Sequence, residues 1–475
     1  MEEEQSHTNT KKELPHTVAM MPITGMGHLI PMIEFAKRLT RHHSLHVTFL
    51  IPTNAPPSKP QTTLFSPLPR AISHVFLPQV SLSDLPPNTK IETIISLTVL
   101  RSLPSLRHSL VAIHRVAALV IDFFCTDAID VAGELHIPSY IFFPSPAMAL
   151  SFDLYLPRLD QEVQCEFRDL PEPVHIPGCN SIHGKDLMDT IQNRNDDAYK
   201  FFLNHCKRFS LAKGIIENSF PELEPQVIKW LLKDEPGRPP IYPVGPLVNE
   251  DIAQTEEQCL CLKWLDEQPR DSVVFVCFGS VGTLSRAQME ELALGLEMSE
   301  QRFLWVVKCP KDYIADVDAH ADPLDFLPKG FVERTKGRGL VVPYWAPQIQ
   351  ILSHGSTGGF VSHCGWNSIL ECVVNGVPLV AWPLYAEQKM NAVLVTQDVK
   401  VALRPKVYES GLVEREEIAS VVKTLMEGEE GKKLLHRIKE LKVAAAIALG
   451  ENGSSTKRIS ELALKWKGET AACII

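Results

Sequence analysis

The chain has 475 residues, of which 45% are hydrophobic and 22% are charged, and its formal net charge is −10. This length exceeds what one ordinary hydrophobic core organises, so two domains are expected, and the acidic balance argues against non-specific nucleic-acid binding. The 11 cysteines form no CxxC pair. Zinc knuckles and disulfide scaffolds are therefore disfavoured, and free thiols in a reducing, cytoplasmic compartment are expected.

No segment shows a targeting or membrane-spanning pattern. Residues 1–15 are polar and lack the apolar run of a secretory signal, so a flexible leader is expected there. The apolar runs farther along, such as 117–121, are far too short to span a bilayer.

Short β-rich runs alternate with amphipathic stretches in the first half. A strand is predicted over 16–23, then a helix from residue 28 to about 42 with one apolar face, then a strand over 45–52. Further strands are predicted over 117–121, 139–143, 214–220 and 241–246. These runs are apolar on both faces, which is typical of parallel strands covered by helices.

A second series of the same kind follows a Pro/Gly-marked, then acidic segment, which predicts a linker over 248–262. Its predicted strands are 272–280, 302–308, 339–345, 357–363 and 378–384, with helices over 285–300, around 390 and over 413–446. The alternation predicts an α/β protein with two doubly wound domains, 16–247 and 263–454, that face one another. A helix over 455–475 is expected to return to the first domain.

Two polar residues stand where strands of the first domain end, which is where ligands of open α/β sheets bind. His28 opens a helix after the turn TGMG, and Asp122 ends the strand 117–121. A lone carboxylate there is costly without a partner. Asp122 is therefore a candidate acceptor for one nitrogen of His28, with the other nitrogen left as a general base. A structural histidine at the helix start and an N-cap aspartate are the alternatives.

The same turn raises the alternative of a nicotinamide-dependent oxidoreductase. Ile30, however, stands where the third glycine of G-x-G-x-x-G belongs, and no Asp or Glu lies between Glu34 and Asp84 to hold a ribose. These departures disfavour dinucleotide binding.

The segment 345–388 predicts a site for a nucleotide sugar. Asn367 and Ser368 begin a helix after Gly365, where amides and the macrodipole suit a diphosphate. Glu371, one turn farther on, is placed to take ribose hydroxyls. Other candidate contacts are the flat face of Trp345 for a base, the turn at Ser280 for a phosphate, and Glu387 and Gln388 for a polyol. A capped helix with a core tryptophan is the structural alternative for any one of them.

These 44 residues resemble the signature of the plant secondary-product glycosyltransferases, which are family 1 UDP-glycosyltransferases. TGMGHLIP and VIDFF are similar to the histidine motif and the aspartate strand of that family. IPTNAPPSKP, IPGCNSIHGKDLMD and WPLYAEQKMNA resemble the subfamily that glucosylates small phenols, of hydroquinone glucosyltransferase type.

The resemblance implies the GT-B fold, with two Rossmann-like domains facing across a cleft, and inverting, metal-independent transfer of glucose from UDP-glucose to a phenolic hydroxyl. His28 would be the base and Asp122 would orient it. UDP would be bound by Ser280, Trp345, Ala346, Gln348, His363, Gly365, Asn367, Ser368 and Glu371, and glucose by Trp366, Glu387 and Gln388. The acceptor pocket would include Phe123, Phe124, Ser145, Met148 and Tyr385. No cofactor, metal, nucleic-acid or membrane partner is expected, and a monomer is expected.

Three alternatives stay open beside this prediction. One is the same chemistry with another UDP-sugar. Another is N- or S-glucosylation of xenobiotics. The third is a catalytically silent sensor of nucleotide sugars, although the His28/Asp122 pair and the donor motif are both intact.

Overall fold

Two wholly parallel β-sheets organise the chain. The computed structural model describes residues 16–66, 68–249, 256–312 and 321–472, without the side chains of 256–259 and 469–472. The predicted leader, residues 250–255 of the predicted linker and residues 473–475 lie outside the described residues.

The first sheet has seven strands in the order β3-β2-β1-β4-β5-β6-β7. They are β1 (Thr17–Met21), β2 (His46–Ile51), β3 (Ile72–Phe76), β4 (Val116–Asp122), β5 (Ser139–Phe143), β6 (Ile215–Glu217) and β7 (Ile241–Pro243). Its helices are α1 (Met26–His43), α2 (Lys59–Phe65), α3 (Ile91–Ala112), α4 (Ala128–Glu134), α5 (Ala147–Glu162), α6 (Asp197–Arg208) and α7 (Pro225–Leu231). The predicted apolar face of α1, which comprises Leu29, Ile33, Ala36 and Leu39, is buried.

The second sheet has six strands in the order β10-β9-β8-β11-β12-β13. They are β8 (Val273–Cys277), β9 (Arg302–Val307), β10 (Gly339–Pro343), β11 (Thr357–Ser362), β12 (Leu379–Ala381) and β13 (Ala402–Leu403). Its helices are α8 (Glu256–Asp266), α9 (Arg286–Ser299), α10 (Phe331–Arg334), α11 (Gln348–Ser353), α12 (Trp366–Asn375), α13 (Gln388–Val393), α14 (Arg415–Glu427) and α15 (Glu429–Leu449). Helix α8 begins inside the segment predicted as a linker.

Both sheets change winding direction beside their first strand. β1 lies between β2 and β4, and β8 lies between β9 and β11. In open α/β sheets such a switch leaves a crevice at the carboxyl ends of the strands, and ligands bind there. The fold therefore provides one crevice in each half of the chain.

The last helix, α16 (Ser454–Ala472), packs against the first half of the chain, in contact with α1, β4 and β7. Trp466 on this helix is fully buried. Its ring meets Phe35 edge-on at a centroid distance of 6.4 Å and Tyr140 at 5.3 Å. Burial of these large aromatic surfaces holds the end of the chain on the first sheet.

None of the helices in the part of the chain that the structure describes combines the length and the apolar character that a membrane crossing needs.

Candidate active site

A histidine and an aspartate meet at the carboxyl edge of the first sheet. His28 lies in the first turn of α1, and Asp122 is the last residue of β4, which neighbours β1 in the sheet. Nδ1 of His28 lies 2.8 Å from Oδ2 of Asp122. The Asp122 side chain is fully buried, whereas 24% of the His28 side chain is exposed. The contact expected from the two strand ends is present.

Asp122 uses its two carboxylate oxygens differently. Oδ1 accepts from the backbone N–H of Phe124 at 3.0 Å and caps the short 3-10 helix Phe123–Cys125, while Oδ2 accepts from His28. Asp122 therefore acts both as a helix cap and as the partner of His28, two roles that the sequence left as alternatives. A carboxylate at Nδ1 keeps the proton of the neutral imidazole on Nδ1 and leaves Nε2 as the proton acceptor.

The surroundings of His28 make it a stronger base than a free histidine. Burial acts to lower the pKa of His28, but the charge and hydrogen bond of Asp122, together with the charge of Glu387, outweigh it and raise the pKa. The bond to Asp122 uses Nδ1 of His28, so Nε2 is the nitrogen left to accept a proton. The imidazole is therefore oriented and basic.

An apolar wall stands beside His28. The ring of Phe123 stacks on the imidazole at a centroid distance of 5.5 Å, and Phe124 lies at 5.9 Å. Met148 is buried in the same apolar cluster. Ser145 donates to Oε1 of Glu387 at 3.4 Å, across the cleft. Phe123 and Phe124 therefore lie beside His28 and Ser145 lies at Glu387, whereas Met148 lines a cavity together with Glu224 and Leu394.

Tyr385, also predicted for the acceptor pocket, projects from the second half. It is partly exposed, and its ring centroid lies 6.5 Å from that of His363. This position borders the crevice of the second sheet.

Two glycines enclose the imidazole of His363, which follows β11. A Cβ atom at Gly279 would lie 2.6 Å from Nε2 of His363, and one at Gly365 would lie 2.5 Å from it. Gly279 also has φ +75°, which L side chains rarely adopt. Both positions therefore require glycine if the ring is to stay where it is.

The His363 imidazole is neutral near pH 7. Burial, with a smaller contribution from the charge of Lys308, lowers its pKa to about 4. Its Nδ1 is buried and has no partner among the described residues. This histidine can donate or accept a hydrogen bond in the crevice, but it carries no charge and is poorly suited to be the base.

The side chain of Gln348 links two residues on α12. Its Nε2 donates to Oγ of Ser368 at 2.9 Å and to Oε2 of Glu371 at 2.6 Å. Burial raises the pKa of Glu371 to about 7, although the bond from Gln348 opposes the rise. The three polar groups form one connected surface between the start of α11 and the first two turns of α12.

The first two residues of α12 contact the other half of the chain. Nε1 of Trp366 donates to the backbone oxygen of Asn218 at 2.8 Å, and Nδ2 of Asn367 donates to that of Gly27 at 2.9 Å. The side-chain donors of both residues are thus used across the cleft. For a ligand, the backbone N–H groups of this helix start remain, together with Oδ1 of Asn367, which has no partner among the described residues.

The chain turns sharply after β10 and presents an aromatic ring. Tyr344 has φ +63°, an uncommon conformation for a bulky residue. The next residue, Trp345, is 48% exposed, whereas Ala346 is buried. Ser280, in the turn after β8, is exposed. A flat ring and a hydroxyl are therefore available at the edge of the second sheet.

Glu387 and Gln388 stand at the start of α13. Oε1 of Gln388 accepts from the backbone N–H groups of Leu384 and Tyr385 at 2.9 and 3.0 Å. Glu387 accepts from Nδ2 of Asn391 at 3.3 Å as well as from Ser145. Gln388 therefore shapes the turn with its oxygen and also forms a side-chain hydrogen bond with Tyr385, while Glu387 faces both halves.

The sequence analysis missed Lys308, which follows β9 directly. Its Nζ donates to the backbone oxygen of Gly279, beside His363. The available signal was a basic residue at the carboxyl end of a predicted buried strand. In the ranges that the structure describes, no group of three or more His, Cys, Asp or Glu side chains could hold a metal ion.

Comparison with known proteins supplies the family. The family model described as "UDP-glucoronosyl and UDP-glucosyl transferase" matches residues 246–443. A hydroquinone glucosyltransferase from Rauvolfia serpentina is 57% identical over 466 residues, which are 96% of this chain and 99% of that protein.

Two solved structures are similar over almost their whole length. One is a UDP-glucosyltransferase from Polygonum tinctorium, capable of glucosylating indoxyl, in complex with 3,4-dichloroaniline. Its TM-score is 0.90 at 54% sequence identity, and the match covers 96% of this chain and 99% of that chain. UGT2 of Phytolacca americana, complexed with UDP-2fluoro-glucose and pterostilbene, has a TM-score of 0.90 at 52% identity, with coverage of 95% and 100%. The predicted GT-B fold is confirmed, and the chain belongs to the UDP-glycosyltransferase family, within its plant family 1 branch.

Proposed function

We propose that the chain transfers glucose from UDP-glucose to a hydroxyl of a small phenolic acceptor, with inversion to a β-glucoside. The observation that carries the proposal is the pair of His28 and Asp122, joined at 2.8 Å, with Nε2 of the histidine left to accept a proton. The names of the relatives support the acceptor class, because one acts on hydroquinone and another is complexed with pterostilbene.

The chemical step needs a base. A phenol has a pKa of about 10 and is a poor nucleophile near pH 7. Nε2 of His28 takes the phenolic proton while the oxygen attacks the anomeric carbon, and the bond from that carbon to the UDP oxygen breaks. Asp122 stabilises the imidazolium that forms. Attack opposite the leaving group converts an α-linked donor into a β-glucoside.

The donor is assigned to the second half of the chain, predicted as domain 263–454, and the acceptor to 16–247. Trp345 would stack on the uracil, and Ala346 and Gln348 would read its edge. Glu371 would hold the ribose. The diphosphate would be bound by Ser280, His363 and Ser368, by the backbone at Gly365 and by the N-terminus of α12, where Asn367 lies. Glucose would contact Glu387, Gln388 and Trp366.

The acceptor would lie against the apolar wall. Phe123 and Phe124 offer apolar surface to an aromatic ring beside Nε2 of His28, and Met148 stays a predicted acceptor contact. Ser145 and Tyr385 supply polar atoms at its rim. Flat apolar surface with few polar groups suits a small phenol better than a sugar or a peptide.

Protein groups, without a metal ion or cofactor, would stabilise the departing UDP in this mechanism. We propose that the reaction takes place in the cytoplasm, because each of the nine cysteines whose side chains the structure describes is free. The expected monomeric state stays a prediction.

Transfer to an aromatic amine is a second candidate function, favoured by the 3,4-dichloroaniline in the Polygonum tinctorium complex. An aniline nitrogen attacks as the neutral amine and loses its proton only as the bond forms. It therefore depends less than a phenol on the base. His28→Ala would then reduce O-glucoside formation much more than N-glucoside formation.

The experiment is glucosylation of hydroquinone by the purified chain with UDP-glucose, with UDP-galactose as a competing donor, and with the product anomer assigned by NMR. We expect a β-glucoside from UDP-glucose. His28→Ala should lower kcat by about 100- to 10,000-fold while UDP still binds. His114→Ala, at an exposed histidine, is the matched control and should keep wild-type turnover. Retained turnover in His28→Ala, or an α-glucoside, would refute the mechanism.

A further inference from the structure

Lys308 lies at the crevice of the second sheet and has no role in the mechanism described so far. It directly follows β9, which pairs with β8, and β8 pairs in turn with β11. The carboxyl ends of these parallel strands share one edge, so Lys308 leaves the sheet beside the turn that contains Ser280. Its Nζ donates to the backbone oxygen of Gly279.

Lys308 is also close to His363. The imidazole of His363 lies against Gly279, as the 2.6 Å from its Nε2 to a Cβ atom built there shows. The charge of Lys308 contributes to lowering the His363 pKa. The ammonium, the glycine turn and the imidazole are therefore neighbours.

The groups assigned to the diphosphate carry no formal positive charge. His363 is neutral, and the remaining groups are the Ser280 and Ser368 hydroxyls, the backbone and the dipole of α12. That dipole is equivalent to roughly half an elementary charge. UDP is a multiply charged anion, and its charge grows on the leaving oxygen as the glycosidic bond breaks. A full positive charge nearby would have a large effect in such a partly buried site.

Lys308 provides that charge and has no anionic partner among the described residues. It is half-buried, and burial lowers its pKa. Among the described residues, no carboxylate contributes to the pKa of Lys308. A partly buried cation is costly unless an anion offsets it. The bond to Gly279 uses one of its three donors and leaves two for a ligand.

We propose that the ammonium of Lys308 binds the diphosphate of the nucleotide-sugar donor and supplies the positive charge that stabilises UDP as it leaves. The binding part requires only a UDP-sugar donor. The part that concerns the leaving group rests on the proposed function. The donor signature does not include this residue, because it lies outside 345–388.

The test compares the binding of UDP and of uridine to the full chain by calorimetry, with uridine measured by competition. Lys308→Met keeps most of the apolar stem and removes the charge. We expect it to weaken UDP binding by about 10- to 100-fold and to leave uridine binding unchanged. Lys308→Arg keeps the charge and should retain most of the UDP affinity. Lys311→Met, at an exposed lysine three residues on, should bind both ligands like the wild type.

Two results would overturn the proposal. The first is UDP affinity in Lys308→Met equal to that of the wild type, which would give the ammonium a purely structural role. The second is an equal loss of UDP and uridine binding, which would indicate a general disturbance of the site. Neither binding measurement uses an acceptor, so this test can fail while the proposed function holds. A failure of the proposed function would look different, because the wild-type chain would bind UDP and make no glucoside. In a turnover assay with hydroquinone, Lys308→Met should also lower kcat.

Discussion

Nδ2 of Asn367 donates to the backbone oxygen of Gly27 at 2.9 Å, and Gly27 directly precedes the proposed base, His28. The neighbouring Trp366 donates to the backbone of Asn218 at 2.8 Å. The start of α12 is thus fixed to the first half of the chain at two points. Because we assign the donor diphosphate to the same helix start, we expect these bonds to set the distance between the donor and the base.

Replacement of Asn367 by alanine should affect turnover more than donor binding. The variant loses the bond to Gly27, worth about 1 kcal/mol, so we expect kcat to fall by about 5- to 10-fold. UDP affinity should stay within about 3-fold, because the backbone N–H groups of α12 remain. Asn375→Ala, at the other end of α12, removes a side-chain bond to the Glu371 backbone and serves as control. A proportional loss of UDP affinity and kcat would instead show that the Asn367 side chain acts on the phosphate.

The pH dependence of turnover should report the His28/Asp122 pair. His28 must be neutral to accept a proton, and its pKa is raised above the usual 6.5. Activity should therefore be lost as pH falls through this raised pKa. In Asp122→Asn the charge is gone while an oxygen remains to cap Phe124, so the acidic limb of kcat/KM should move to lower pH. The maximal kcat should also fall by about 100-fold. An acidic limb at the wild-type pH would contradict the role of Asp122.

The parts of the site that were predictable follow from local rules. His28 and Asp122 were paired in advance because parallel strands end at one edge of a sheet, and the donor residues were marked by a contiguous motif. The edge strand β3 was missed because most of its side chains are exposed, so no apolar run marks it. The targets of Trp366 and Asn367 lie more than a hundred residues away, and no local pattern shows which carbonyl will face them. Lys308 resembled an ordinary surface lysine until the sheet order placed it beside Gly279.

The close fit of His363 between glycines predicts the effect of a single methyl group. In Gly365→Ala the new Cβ would lie 2.5 Å from Nε2 of His363, so the ring must move. We expect a loss of about 1–3 kcal/mol of stability and at least about tenfold weaker UDP binding, measured by thermal unfolding and calorimetry. Gly355→Ala is the control, because a Cβ atom there meets nothing within 4 Å. UDP affinity unchanged in Gly365→Ala would remove His363 from the phosphate site.

Glu371 should couple donor binding to proton release. Its pKa is raised by burial to about 7, so near pH 7 about half of the free protein carries a proton there. Ribose hydroxyls that donate to the carboxylate favour its ionised form and lower this pKa. UDP binding at pH 7 should therefore release up to about half a proton, and affinity should increase as pH rises through this region.

Calorimetry in two buffers of different ionisation enthalpy measures that release directly. In Glu371→Gln the site cannot ionise, so the release near pH 7 should fall to the part that the terminal phosphate of UDP contributes, and the affinity should lose the part of its pH dependence that Glu371 supplies. His363 can add proton uptake when phosphate binds, but from a pKa of about 4 its effect lies mainly at lower pH. The two contributions are therefore separable by pH. The same release in the wild type and in Glu371→Gln would show that another group titrates and that Glu371 does not hold the ribose as a carboxylate.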